Sequence, residues 1–283
     1  MTDSPIVVQT ARPVGSTTPT MMIAVVILGG WLVMALAASA IAPYDPNAVD
    51  IMNMLSPPNA AHLFGTDQVG RDVFSRVLFA SRVDLLLCVA GVLPPLLIGT
   101  MIGLLSGYFG GAVDTVFMRI YDLTVAFPFF VLVLAIVGVL GPGLLNFILA
   151  LALVGWVSYA RLVRAQVLTI RESEYIQAAK CLGYRPATIL SHHVLPNAIG
   201  PVIAYAASDA VLVMLAGASF GFLGMGAQPP LAEWGVMIAD GQAFVQQAWW
   251  ICLFPGLAAI SLGLGFALLG DGLGQIQRMG VAA

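Results

Sequence analysis

Six long apolar stretches, at roughly 20–42, 83–107, 116–140, 143–168, 198–224 and 248–269, constrain this chain more than any other feature. A helix crossing the hydrocarbon core of a bilayer needs about 20 mostly apolar residues. Lipid offers no partner for backbone N–H and C=O groups, so a spanning segment must satisfy them internally. Gly141-Pro142-Gly143 alone separates the third stretch from the fourth, a turn whose Pro and Gly end one helix and admit the next. The 283 residues are 60% hydrophobic and 9% charged, where a soluble domain carries roughly 25% charged residues. The fold class expected is an all-α integral membrane protein with about six transmembrane helices. A soluble enzyme and a single-span anchor are both excluded.

Basic residues in the links set the orientation. With the N-terminus inside, Arg12, Arg119, Arg161, Arg164, Arg171, Lys180, Arg185 and Arg278 fall on the cytoplasmic side, and only Arg71, Arg76 and Arg82 on the outer side. Both termini are therefore expected to be cytoplasmic. Residues 1–19 lack the basic n-region and short h-region of a cleaved signal and read as a disordered tail. The first span at 20–42 leads to an outer segment at 43–82, then a five-helix core at 83–274 and a cytoplasmic tail at 275–283. In the outer segment, Pro43, Pro46, Pro57 and Pro58 keep the first part irregular. From Gln68 to Ala80, apolar and charged residues alternate at helical spacing. That pattern suits either an amphipathic helix at the outer interface or a solvated helix leading into span two.

Span two carries Gly91, Pro95, Gly99, Gly103 and Gly107 at four-residue intervals. Such a seam lets helix backbones approach closely, against a neighbour in the same subunit or against a partner subunit. Chemistry is otherwise scarce. His62, His192 and His193 lie in links, Cys88, Cys181 and Cys252 suggest no pairing, and no nucleotide-binding or hydrolase motif occurs. No metal site and no catalytic residue are expected, nor any nucleic-acid partner, since no basic patch exists. Asp209 falls midway through span five, where an intramembrane acid is a functional candidate by default. It lines the pathway and meets a cationic group, or it bonds to a neighbouring side chain. Met214 is a second pathway candidate, although it also suits plain packing.

The polar segment at 170–197 is too long for a simple turn and too polar to span. Glu174 suits the first turn of a helix, and Ala178 and Ala179 give it a close-contact face. Gly183 can end it in a left-handed cap. Arg185-Pro186 opens a second short helix, with Pro at a permissive position, and Ile189, Leu190 and Val194 form its apolar side. Leu195-Pro196 marks the break before span five. A helix–turn–helix knuckle on the cytoplasmic side is predicted.

The pattern Ala178-Ala179-x-x-x-Gly183, followed by Leu195-Pro196, resembles the EAA loop of bacterial ABC importer permeases. The acidic residue that usually precedes the alanines is Gln177 here, with Glu174 three positions earlier. Two further stretches are similar to the same family. Phe64-Gly65-Thr66-Asp67-Gln68-Val69-Gly70-Arg71-Asp72-Val73-Phe74-Ser75-Arg76 resembles its GTDxxGRDxxSR segment. Gly221 to Pro230, with Glu233-Trp234-Gly235, resembles its loop between spans five and six. The resemblance is to the second permease subunit of dipeptide, oligopeptide and nickel importers, and it covers nearly everything after residue 40.

That resemblance implies an inner-membrane location and a heteromeric complex. Its members would be a second homologous permease, two ATP-binding cassette subunits that hold ATP and Mg, and a periplasmic or lipid-anchored substrate-binding protein. No cofactor is implied in this chain itself. The resemblance places the ATPase-coupling contacts at Glu174, Tyr175, Ala178, Ala179, Gly183, Tyr184, Arg185, Pro186, Ile189, Leu190, His193, Leu195 and Pro196. Binding-protein contacts would fall at Asp67, Arg71, Asp72, Arg76, Gln228, Glu233 and Trp234. Di- or oligopeptides are the implied substrates. Nickel or metal chelates, glutathione and opines fit the same architecture, and an ion-coupled secondary transporter is a more distant alternative.

Overall fold

Pro19 opens α1 (Pro19–Ile41), the first of five helices long and apolar enough to cross a bilayer. The structure, a computed structural model, describes residues 19–281, so the tail expected over residues 1–19 lies outside the described residues except for Pro19, which is helical. The other four long helices are α2 (Val73–Phe109), α5 (Leu144–Ile170), α8 (Leu195–Phe222) and α10 (Trp250–Val281). The shorter α3 (Gly111–Val125) and α4 (Phe129–Leu140) make a sixth crossing only if counted together. The chain is therefore an all-α, multi-span membrane protein. Side chains such as Val26, Leu36 and Ile260 are two-thirds exposed or more, as suits helices whose solvent is lipid.

The continuous helix expected over 116–140 is broken. α3 and α4 meet at 89° across Ala126-Phe127-Pro128. Pro128 lacks a backbone N–H and disfavours the helical region for the residue before it. Neither half alone reaches the roughly 20 residues needed to span.

Of the helix expected near residues 68–80, residues 73–80 are helical and form about the first two turns of α2, leading directly into the long span and buried by other chain rather than standing free in solvent. The 37 residues of α2 extend about 55 Å at 1.5 Å per residue. That exceeds the roughly 30 Å hydrocarbon core, so one end must stand outside it. Val73, Arg76, Val77, Leu78 and Ala80 are buried there, because the segment 43–72 and the short α9 (Trp234–Gln242) wrap this end. At the far end of the chain, α10 runs on through Val281, so the tail expected at 275–283 is helical as far as it is described.

The glycine seam of α2 is spent inside the subunit. A Cβ added at Gly103 would lie 2.6 Å from the Ala160 carbonyl oxygen and 2.7 Å from Val163 Cβ, and one at Gly107 would lie 2.8 Å from Val167 Cβ. All three neighbours belong to α5, and α2 with α5 is the most extensive helix pairing in the described chain. Near the end of that seam, Asp114 of α3 accepts two hydrogen bonds of 2.6 Å from the Arg164 guanidinium of α5. Arg82 of α2 donates to the Ala35 carbonyl of α1 at 2.6 Å. These ties fix the ends of the helices that carry the candidate sites.

Candidate functional site

The segment after α5 folds into two short helical pieces joined by a tight turn. Ser173 precedes α6 (Glu174–Cys181), and its hydroxyl donates to the Ile170 carbonyl at 2.5 Å. Gly183 ends the helix at φ +77°. Its N–H donates to the Lys180 carbonyl at 3.0 Å, and the Tyr184 N–H donates to the Ala179 carbonyl at 3.1 Å. Those two bonds form a Schellman cap, which requires a left-handed residue at that point. Pro186 then starts α7 (Pro186–Thr188), which passes into a π-helical turn, Ile189–Val194, and directly into α8. The knuckle is tied to α2 as well. Arg171 donates to the Gly107 carbonyl at 3.0 Å, and the Lys180 ammonium sits 5.7 Å from the Tyr108 ring centroid.

The thirteen residues expected to make coupling contacts divide into two sets. Ala179 and Ile189 are buried, as are Ile176 and Val194 beside them. Leu190, His193 and Leu195 are partly buried. This set packs the knuckle against itself and cannot offer a docking face. Glu174, Tyr175, Ala178, Gly183, Tyr184, Arg185, Pro186 and Pro196 are exposed. Leu182 is 77% exposed and was missed in the sequence, where a leucine before the turn glycine reads as part of the helix's apolar face. Tyr175, Leu182 and Tyr184 thus present an apolar surface on a segment whose other exposed side chains are polar or small.

Five of the seven residues expected at the binding-protein contact are turned inward. Asp67, Asp72, Arg76, Glu233 and Trp234 are all at most 3% exposed. Asp67 accepts from the Val69 and Arg71 backbone N–H groups at 3.0 and 2.9 Å, and from Arg71 Nε at 2.5 Å. Asp72 caps α2 by accepting from the Ser75 N–H at 2.8 Å. Arg76 donates to the Pro46 carbonyl at 3.0 Å. These groups hold the irregular backbone of the segment 43–72 in shape. Gln228 is exposed, and Arg71 is partly so, reaching Asp240 at 3.5 Å.

A buried acid pair in the same region also escaped the sequence reading. Asp84, in the fourth turn of α2, and Glu233, the N-cap of α9, are each 1% exposed and share a hydrogen bond. Asp84 lies two residues into a predicted span, next to a run of leucines, and its only sequence signal is that position. Burial pushes the Glu233 carboxyl above the usual range, against the N–H bonds of Gly235 and Val236 and the bond to Asp84 that pull it down.

Within the membrane, Asp209 lies midway along α8 on the wall of a cavity of about 460 Å³ bounded by α2, α4, α5 and α8. Tyr159 of α5, fully buried, donates its hydroxyl to Asp209 Oδ2 at 2.7 Å. Met214 does not join it. That side chain is 3% exposed and its Cε packs against the Gly263 position of α10, a core contact away from the cavity. No group of three or more potential metal ligands occurs among the described residues.

Residues 99–280 match the family described as binding-protein-dependent transport system inner membrane component. The chain is 43% identical over 255 residues to the probable D,D-dipeptide transport system permease protein of Escherichia coli K12, covering 90% of this chain and 86% of that protein. It is 39% identical over 252 residues to the dipeptide transport system permease protein of Alkalihalophilus pseudofirmus, covering 89% and 83%. It is also 37% identical over 243 residues to a glutathione transport system permease protein of Pectobacterium atrosepticum, covering 86% and 81%.

Proposed function

This chain belongs to the family of binding-protein-dependent transport system inner membrane components, as a permease of the peptide-importer type, and on that premise we propose that it forms one half of the translocation pathway of an ATP-driven dipeptide importer. A second, homologous permease forms the other half. Of two ATP-binding cassette subunits, one docks on the cytoplasmic knuckle of this chain and the other on the second permease, and a substrate-binding protein delivers peptide from outside. Both termini are cytoplasmic, as the distribution of basic residues requires. This chain hydrolyses nothing; ATP and Mg belong to the docked subunits.

The observation that carries this reading is the knuckle's exposed apolar tip. A polar loop has no reason to hold Tyr175, Leu182 and Tyr184 in water at 47%, 77% and 51% exposure unless a partner covers them. The Schellman cap at Gly183 and the ties to α2 hold that tip stiff. Closure of the ATPase dimer would then move the knuckle, and with it α5 and α8, as a rigid body, the mode by which packed domains commonly switch. Peptide is favoured as substrate because the relatives named for dipeptides are the more similar ones.

Leu182→Asp is expected to weaken association with the ATPase subunits by about ten- to a hundred-fold, the effect of losing one interface hot spot. The second permease should stay bound. Quantitative co-purification in mild detergent measures both. Undiminished ATPase recovery with Leu182→Asp would remove the knuckle tip from the interface. A chain that purifies alone, with no ATPase or second permease even unmutated, would remove the importer reading itself.

A further inference from the structure

The cavity beside Asp209 has a chemistry of its own. Its walls are apolar apart from Ser158, Tyr205 and Asp209, and no basic side chain lines it among the described residues. The Tyr205 ring meets that of Tyr159 edge to face at 5.1 Å. Asp209 is thus the single charged group in a pocket with aromatic walls, which Phe129 and Phe130 close from α4 at the break after α3.

The Asp209 carboxyl is held in place. Oδ2 accepts from Tyr159 at 2.7 Å, a bond that fixes the carboxyl's orientation on the cavity wall.

We propose that Asp209, oriented by Tyr159 on the wall of this cavity, is a binding subsite for an ammonium group carried on an apolar body. The inference rests on the transport reading, within which the ligand is the free amino terminus of a peptide. An ammonium offers three donors and no acceptor, which suits a carboxylate on a wall with no basic side chain among its described residues. The aromatic faces of Tyr205, Phe129 and Phe130 are suited to a cation as well as to an apolar side chain. A substrate carboxylate finds no cation on this wall and would have to be met outside this cavity.

The test uses the assembled transporter in lipid nanodiscs without its binding protein, titrated calorimetrically with phenethylamine and with its neutral isostere 2-phenylethanol at pH 7. The amine is expected to bind about ten- to a hundred-fold tighter, the range of a hydrogen bond to a charged group. That gap should vanish in Asp209→Asn and persist in Tyr159→Phe, which removes the orienting hydroxyl but keeps the carboxylate. Equal affinities in the unmutated transporter, or an unchanged gap in Asp209→Asn, would overturn the subsite. If Asp209→Asn does not assemble, Leu212→Trp, which fills the cavity and keeps the carboxylate, must abolish amine binding, and persistence overturns the site. Stimulation of ATPase activity by the peptide-loaded binding protein is scored separately. If it occurs without amine preference, the importer reading stands and the subsite falls.

Discussion

Gly103→Leu is expected to leave little folded protein in the membrane, with a loss of about 3 kcal/mol or more, at the upper end of what overpacking a tight core costs. The cost follows from what the added side chain meets. At Gly103 a Cβ alone would stand 2.6 Å from the Ala160 carbonyl and 2.7 Å from Val163 Cβ. The first is backbone and cannot rotate away, so α5 itself must move. Gly107, one turn on, is as tight against Val167, so the displacement cannot be absorbed locally. In lipid the two helices gain nothing from hydrophobic association, and close packing is what holds them together. Gly29→Leu in α1 is the control, because nothing lies within 4 Å of a Cβ built there. The monodisperse fraction after detergent extraction should fall several-fold for the first substitution and hardly at all for the second. Equal recovery of the two would mean that the α2–α5 seam does not hold the subunit together.

That seam was visible in the sequence as small residues every four positions, but its partner was not. Spacing shows that a helix has a narrow face; it does not say which neighbour uses it. The long spans were legible because lipid imposes a length and an apolar content that few other structures satisfy. The knuckle was legible because turn glycines and helix-starting prolines act locally. What failed to read was whatever depended on burial by distant chain. Arg76 and Asp72 carry charges at helical spacing, and charge ordinarily signals solvent, yet both are enclosed by backbone from residues 43–72 and by α9. The bend at Pro128 was readable in principle, since proline removes a donor and restricts its predecessor. It was masked because the apolar run on both sides is long enough to span without it.

The pairing of Asp84 with Glu233 leads to the other large effect, and to an asymmetry that is easy to miss from the acids' similarity. Glu233 uses its two oxygens as acceptors, from the Gly235 N–H at 2.8 Å and the Val236 N–H at 2.9 Å. Asp84 accepts the Trp234 N–H at 3.3 Å and shares a hydrogen bond with Glu233. Two carboxylates cannot hydrogen-bond each other without a proton between them, and Glu233 is already committed to accepting, so the proton sits on Asp84. An asparagine at 84 can reproduce that arrangement, its amide N–H₂ donating to Glu233 and its carbonyl accepting from Trp234. Asp84→Asn should therefore be tolerated to within about 1 kcal/mol. Glu233→Gln turns one of two acceptors into a donor facing a backbone N–H, and should cost about 1–2 kcal/mol, the worth of a helix cap. Glu233→Ala removes the whole cap and strips buried Asp84 of its partner, for about 3 kcal/mol in total. At roughly 2–4 °C per kcal/mol for a chain of this size, the midpoint of thermal unfolding in detergent should fall about 6–12 °C for Glu233→Ala and scarcely move for Asp84→Asn. If Asp84→Asn fell as far as Glu233→Ala, the proton would have to sit on Glu233 instead, and the loop between α8 and α9 would be held to α2 by a different set of bonds.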